Sequence, residues 1–252
     1  MVTEAVVVSL FAGRLNMLSI VCWKWKPKTG YRSAFGPETV NTLRAMVRRY
    51  YQKPHRFICV TDDAAGIAGD VEIIPLWDDY AAVPSPHGAH QPSCYRRLKA
   101  FSLQAAALFG PRFVSLDLDC VVTGDLSPVW DRDEDFVIWG DTSPKTPYNG
   151  SMFMMRAGSR RQVWEDFDPQ TSPAKGRALG YFGSDQAWIG ARLGPHEKKW
   201  SQADGVYSYR NDIKALGGLP DNARIVMFHG KVDPWDAEAQ RLAWVRAHYR
   251  GN

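Results

Sequence analysis

The chain has no Lys/Arg run long enough to follow a nucleic-acid backbone, although 31 basic residues against 27 acidic ones leave a net charge of +4. That surplus suits anionic ligands, and nucleic acid is not expected as a partner. No apolar run approaches the roughly 20 residues that a membrane-spanning helix needs. Cysteine is scarce, at four residues in 252, and Cys22, Cys59, Cys94 and Cys120 form no CxxC pair. A disulfide scaffold and a zinc ribbon are thereby excluded, and the cysteines read as reduced residues of a cytoplasmic protein, three of them within apolar or strand-like runs. The opening MVTEAVVVSLFAGRLN carries Glu4 where a secretion signal needs positive charge. Residues 1–16 are expected to be an extension, or a leader ahead of a start at Met17.

What is present describes an α/β protein. The length suits one large domain or two small ones with a sizeable core. Ten tryptophans suit a sugar-facing cleft or an aromatic core equally well. MLSIVCWKW (17–25) reads as a strand buried on both faces. PETVNTLRAMVRRYYQ (37–52) reads as a helix that begins at Pro37 and lines up Val40, Leu43 and Val47 with Tyr50 or Tyr51. RFICVT (56–61) and VEIIPL (71–76) are expected strands. Ser93 is placed to cap one long helix, CYRRLKAFSLQAAALF, ending at Gly110-Pro111. RFVSLDL (112–118) is the next strand.

That strand ends in Asp117-Leu118-Asp119. Alternation along an extended chain would put both carboxylates on one face, where two buried like charges penalise each other. At the carboxyl end of a strand in an open α/β sheet, a bound cation would relieve that cost, and two carboxylates make a hard-oxygen chelate for Mg²⁺ or Mn²⁺. The plainer alternative is that the pair caps a turn or bonds to Arg112.

The block YRRLKAFSLQAAALFGPRFVSLDLDCVVTGDLSPVW (95–130) resembles glycosyltransferase family 8, the galactosyltransferase and glycogenin-like enzymes of the GT-A fold. The ordered parts are Tyr95, Arg97 and Leu98, then Asp117 and Asp119, then Asp125, Leu126, Pro128 and Trp130. YNGSMFMMR (148–156), GSDQAWIG (183–190) and MFHGKVDPW (227–235) resemble later family motifs, the last in a shortened form with His229, Gly230 and Lys231 contiguous. The resemblance spans roughly residues 17–236. It implies a single GT-A domain over 17–252, with a mixed, mostly parallel sheet flanked by helices.

It also implies an activity. The chain would transfer a sugar from a UDP-sugar with Mn²⁺, or alternatively Mg²⁺, retaining the anomeric configuration. Asp117, Asp119 and His229 would hold the metal, with Asp117 also meeting the nucleotide, and Arg97 and Lys231 would meet the phosphates. Asp185 would bind donor hydroxyls, with Gln186 beside the anomeric carbon and Asn149 on the sugar or acceptor. Trp23 and Lys24 would line the base pocket. Inverting chemistry would instead need a base, for which Asp141 or Asp185 are candidates. A glycan, a lipid-linked glycan or a protein would be the acceptor, and the C-terminal AEAQRLAWVRAHYR would either dock at an anionic membrane surface or pack on the domain. Two other classes stay open. A sugar nucleotidyltransferase would show a glycine-rich loop after the first strand, where KWKPKTG is basic but has little glycine. A silent binding domain would have no need of the carboxylates, the His and the Asp-Gln pair.

Overall fold

The computed structural model describes residues 17–26, 35–86, 88, 92–140 and 145–251. The expected extension at 1–16, most of the basic loop after the first strand and Asp141 lie outside the described residues. Strands β1 (Leu18–Lys24), β2 (His55–Thr61), β3 (Glu72–Pro75), β4 (Arg112–Leu116), β6 (Phe136–Gly140), β7 (Tyr148–Arg156) and β8 (Lys199–Trp200) form one sheet in the order β3-β2-β1-β4-β7-β6-β8. All pairings are parallel except those of β7, which runs against both β4 and β6. A small second sheet has the order β5-β10-β9, from β5 (Cys120–Val122), β9 (Val206–Ser208) and β10 (Ile225–Met227).

Both faces of the large sheet are covered, which is why its central strands are near-continuous apolar runs. Ile20, Cys22, Val114, Leu116 and Met154 face one core, shared with the helix Pro37–Tyr50, the small sheet and the C-terminal segment. Val21, Trp23, Phe113, Phe153 and Met155 alternate with them and face the other core, under residues 94–109 and the helix Asp185–Leu193. Pro37 does sit at the start of its helix, and Val40, Leu43 and Val47 are buried. The C-terminal segment packs on the domain: Val245 is buried, Leu242 and Trp244 lie against the first core, and Arg49 donates to the carbonyls of His248 and Arg250 at 3.1 and 3.3 Å. No described helix is long and apolar enough to cross a membrane.

The expected long helix over 94–109 is two pieces. Cys94–Phe101 is a 3₁₀ helix, Ser102 is extended, and a short α-helix follows at Ala105–Phe109. In a 3₁₀ helix residues three apart eclipse. Tyr95, Leu98 and Phe101 make one fully buried row, with Arg97 and Ala100 in the next. Burying these side chains, worth roughly 1.5–3 kcal/mol for each large apolar one, outweighs the α-helical preference of the local sequence. The Ser93 side chain makes no cap hydrogen bond.

Candidate active site

The Asp-x-Asp stretch is not part of a strand. β4 ends at Leu116, β5 begins at Cys120, and Asp117–Asp119 is the crossing from the large sheet to the small one. Asp117 N–H still donates to Ser151 O at 2.8 Å, as a last rung toward β7, while Asp119 O accepts from Phe228 N–H at 2.7 Å, after β10. The bend therefore gives the two carboxylates different neighbours, where strand alternation would have given them one.

Asp117 meets a guanidinium. Arg97 Nη1 donates to Asp117 Oδ1 at 2.5 Å, and its Nε and Nη2 reach Asp185 Oδ2 at 2.8 and 2.6 Å. Arg97 and Asp185 are both buried, so these charges are tolerable only together. Burial raises the Asp117 carboxyl and Arg97 opposes that rise. Arg97 itself is raised, because the two carboxylates outweigh its desolvation.

Asp119 meets carboxylates. Burial, Asp117 and Asp233 together push its carboxyl well above the usual range, and it has no ion-pair partner among the described residues.

The wall above this network is set by β7 and the Asp185–Leu193 helix. The β6–β7 ladder slips between Ile138, opposite Phe153, and Trp139, opposite Asn149. This bulge throws Gly150–Met152 out of the β6 register, as bulges beside functional sites often do. Gly150 gains a close approach: a Cβ there would lie 3.2 Å from Arg97 Nη2 and 3.5 Å from Gln186 Cβ. Its N–H donates to Gln186 Oε1 at 3.2 Å, while Gln186 Nε2 donates to Phe182 O at 3.0 Å. Asn149 Oδ1 accepts from Ser151 N–H at 2.9 Å. Ser184 does not cap the helix; its hydroxyl donates to Asp185 Oδ1 at 3.1 Å.

Arg97, Asn149, Asp185, Gln186, Arg210 and His229 line one cleft of about 660 Å³, within the range of small-ligand sites. A second cavity of about 240 Å³ adjoins it, sharing Arg210 and His229 and adding Lys231.

His229 does not join the carboxylates. Its Nε2 lies 2.7 Å from Ser208 Oγ, which also accepts from Asn211 N–H at 3.0 Å. That ring nitrogen is thus engaged with Ser208. Trp139 packs edge-on against the ring at 5.3 Å, and burial with Arg210 nearby holds His229 down to about 4. Among the described residues no group of three or more His, Cys, Asp and Glu side chains could hold a metal ion. The Asp117/Asp119 half of the expected ligand set suits a cation in charge and hardness, whereas His229 is engaged with Ser208 and forms no three-residue group with the carboxylates.

Four further expectations change. Trp23 is in the core, with Nε1 donating to Ser115 Oγ at 2.8 Å and Trp77 edge-on at 5.6 Å, so it does not line the cleft. Lys24 is buried at the strand end, where its Nζ donates to Asp63 O at 2.7 Å and Asp63 Oδ2 at 3.1 Å. Arg97, expected at the phosphates, already serves two carboxylates. Arg112 is not the partner of the Asp pair; it donates to Glu134 O at 2.8 Å. Residue patterns did not single out Arg210 or Phe182, because neither lies in a recognisable spacing. The four cysteines are free thiols, with Cys22, Cys59 and Cys120 buried.

No family model matches the sequence, and no curated protein matches it. Solved structures do share its architecture. The galactosyltransferase LgtC, in complex with donor and acceptor sugar analogs, is similar at a TM-score of 0.61 and 14% identity, over 91% of this chain and 93% of that one. The glycosyltransferase GlyE of Streptococcus pneumoniae TIGR4 is similar at 0.56 and 12% identity, over 90% of this chain and 62% of that one. The bifunctional glycosyltransferase WbbM gives 0.56 and 11% identity, over 88% of this chain and 47% of that one. The fold is therefore of the GT-A type: a mixed, mostly parallel sheet flanked by helices.

Proposed function

We propose that the chain is a glycosyltransferase that moves a sugar from a nucleotide-diphosphate donor, a UDP-sugar by the resemblance of its motifs, onto an acceptor hydroxyl. The observation that carries this reading is the Arg97–Asp117–Asp185 network, which lies beneath a cleft walled by Gln186 and Asn149 at the carboxyl ends of parallel strands. Ligands bind at that edge of open α/β sheets.

The chain's own residues supply three things. Asp185, fixed by Arg97 on one oxygen and Ser184 on the other, offers its remaining lone pairs to donor hydroxyls. The Gln186 amide oxygen contributes a partial negative charge toward an oxocarbenium-like transition state without being protonated. Gly150, with no side chain, keeps the space in front of Arg97 open. Asp185 is already engaged by Arg97 on one oxygen and by Ser184 on the other, which leaves it badly placed to take the acceptor's proton. That favours retention, with the leaving diphosphate taking the acceptor's proton, over inversion through Asp185.

Asp117 and Asp119 are the side chains that would hold a divalent cation, Mn²⁺ or Mg²⁺, which when bound neutralises charge developing on the diphosphate. The acceptor would be a glycan, free, lipid-linked or on a protein. A screen of UDP-sugars, reading UDP release with mass detection of glycosylated product, tests the reading. Wild-type protein that binds no UDP by calorimetry and releases none from any donor would overturn it in favour of a silent binding domain or a nucleotidyltransferase.

A further inference from the structure

The proposed donor needs a cation for its diphosphate, and Arg97 is already shared between Asp117 and Asp185. Another guanidinium lines the same cleft. Arg210 follows β9 and is exposed. Its only hydrogen bond among the described residues runs from Nε to Asn211 Oδ1 at 3.2 Å, and it has no carboxylate partner among them.

Its surroundings are built from a distant part of the chain. Gly230 has φ +126°, a conformation that side chains disfavour, and a Cβ there would stand 3.4 Å from Arg210 Nη1 and 3.5 Å from its Cδ. The guanidinium thus lies against the glycine backbone, between the two adjoining cavities, and lines both of them. Lys231 lines the smaller cavity. A planar fork beside a bare glycine backbone suits a phosphate, which takes two parallel hydrogen bonds and tolerates close backbone approach.

We infer that Arg210, seated on Gly230 with Lys231 beside it, is the anion-binding corner that takes the diphosphate of the donor, in place of Arg97. The inference rests on the donor reading above and adds a residue that no motif singled out. Because charge develops on the diphosphate as the sugar departs, Arg210 acts on turnover as well as on donor affinity.

Calorimetry of the full chain with UDP, uridine and inorganic pyrophosphate tests it. Arg210→Gln is expected to weaken UDP and pyrophosphate by about 10- to 100-fold, as loss of a charged hydrogen-bond donor does, and to leave uridine and the melting temperature unchanged. Arg210→Lys should recover part of the affinity and not all of it, because the fork is lost. Wild-type binding of UDP with no loss in Arg210→Gln would overturn the inference and leave the donor reading standing. Wild-type binding of pyrophosphate but not UDP, with loss in Arg210→Gln, would keep the anion corner and overturn the donor. Binding of neither by wild type would overturn both.

Discussion

Asp117 and Asp119 are two residues apart, yet one stands against Arg97 and the other against more carboxylates. On the Arg97 side, one guanidinium joins Asp117 from the end of β4 to Asp185 from a helix 68 positions on, so that two carboxylates share one positive charge. On the Asp119 side, burial and negative neighbours act in the same direction, and the carboxyl is driven toward its neutral form. The first arrangement holds its carboxylates with a fixed cation. The second is charged in a way that a proton or a cation would complete. A spacing that looks symmetric in sequence is thus divided in function by a single bend.

The sharpest way to break this contrast is to remove the guanidinium. Arg97→Gln leaves Asp117 and Asp185 facing each other without compensation, and is expected to cost about 3–5 kcal/mol, read as a shift in the urea midpoint. An equally stable variant would mean that the two sides do not differ.

Next in size is a change of chemistry without a change of fold. Gln186→Ala should lower turnover by about 10- to 100-fold, as losing one transition-state contact does, while UDP affinity stays the same. Parallel loss of UDP affinity would place Gln186 outside the sugar end of the cleft.

The Asp119 side should respond in the opposite sense to Arg97. Its folded carboxyl is raised, so its contribution to stability is present below the unfolded value and is lost as pH rises through the folded one. Asp119→Asn therefore should stabilise the metal-free protein at neutral pH by about 1 kcal/mol, or roughly 2–4 °C for a chain of this size. The same substitution should abolish any Mn²⁺-dependent gain in UDP binding. A destabilised variant would show that Asp119 has a matching partner after all.

The smallest effect concerns His229, held at about 4 in the fold against about 6.5 in an unfolded chain. The unfolded chain protonates first, so this contribution is complete above about pH 6.5 and is lost as pH falls toward 4. His229→Gln should flatten the decline of melting temperature across that window and leave the Mn²⁺ requirement unchanged. A raised Mn²⁺ requirement would return His229 to the ligand set.

The two sides also differ in how far they could be read in advance. Arg97, Asp117, Asp185 and Gln186 all lie in motif matches, and the fold brings Arg97 together with both aspartates and with the Gln186 wall. Their roles were less legible. Arg97 looked like a phosphate ligand because a guanidinium suits phosphate and carboxylate equally, and only proximity decides between them. His229 looked like a ligand because an imidazole beside Gly-Lys has the right chemistry. That Ser208 occupies its Nε2 depends on β9 lying next to β10, a pairing between segments about 20 residues apart.

The alternation of strands and helices, the doubly covered sheet and the helix beginning at Pro37 were determined by the sequence alone. Those features follow from local patterns, in which apolar residues repeat at the period of the element that buries them. The tertiary structure alone decided that Trp23 is core, that residues 94–101 wind as a 3₁₀ helix with Arg97 aimed at the strand ends, and that the Asp-x-Asp bends between two sheets. Each of these is a balance of burial against charge between groups distant in the chain. Desolvation and Coulomb energies depend on where such groups meet in space.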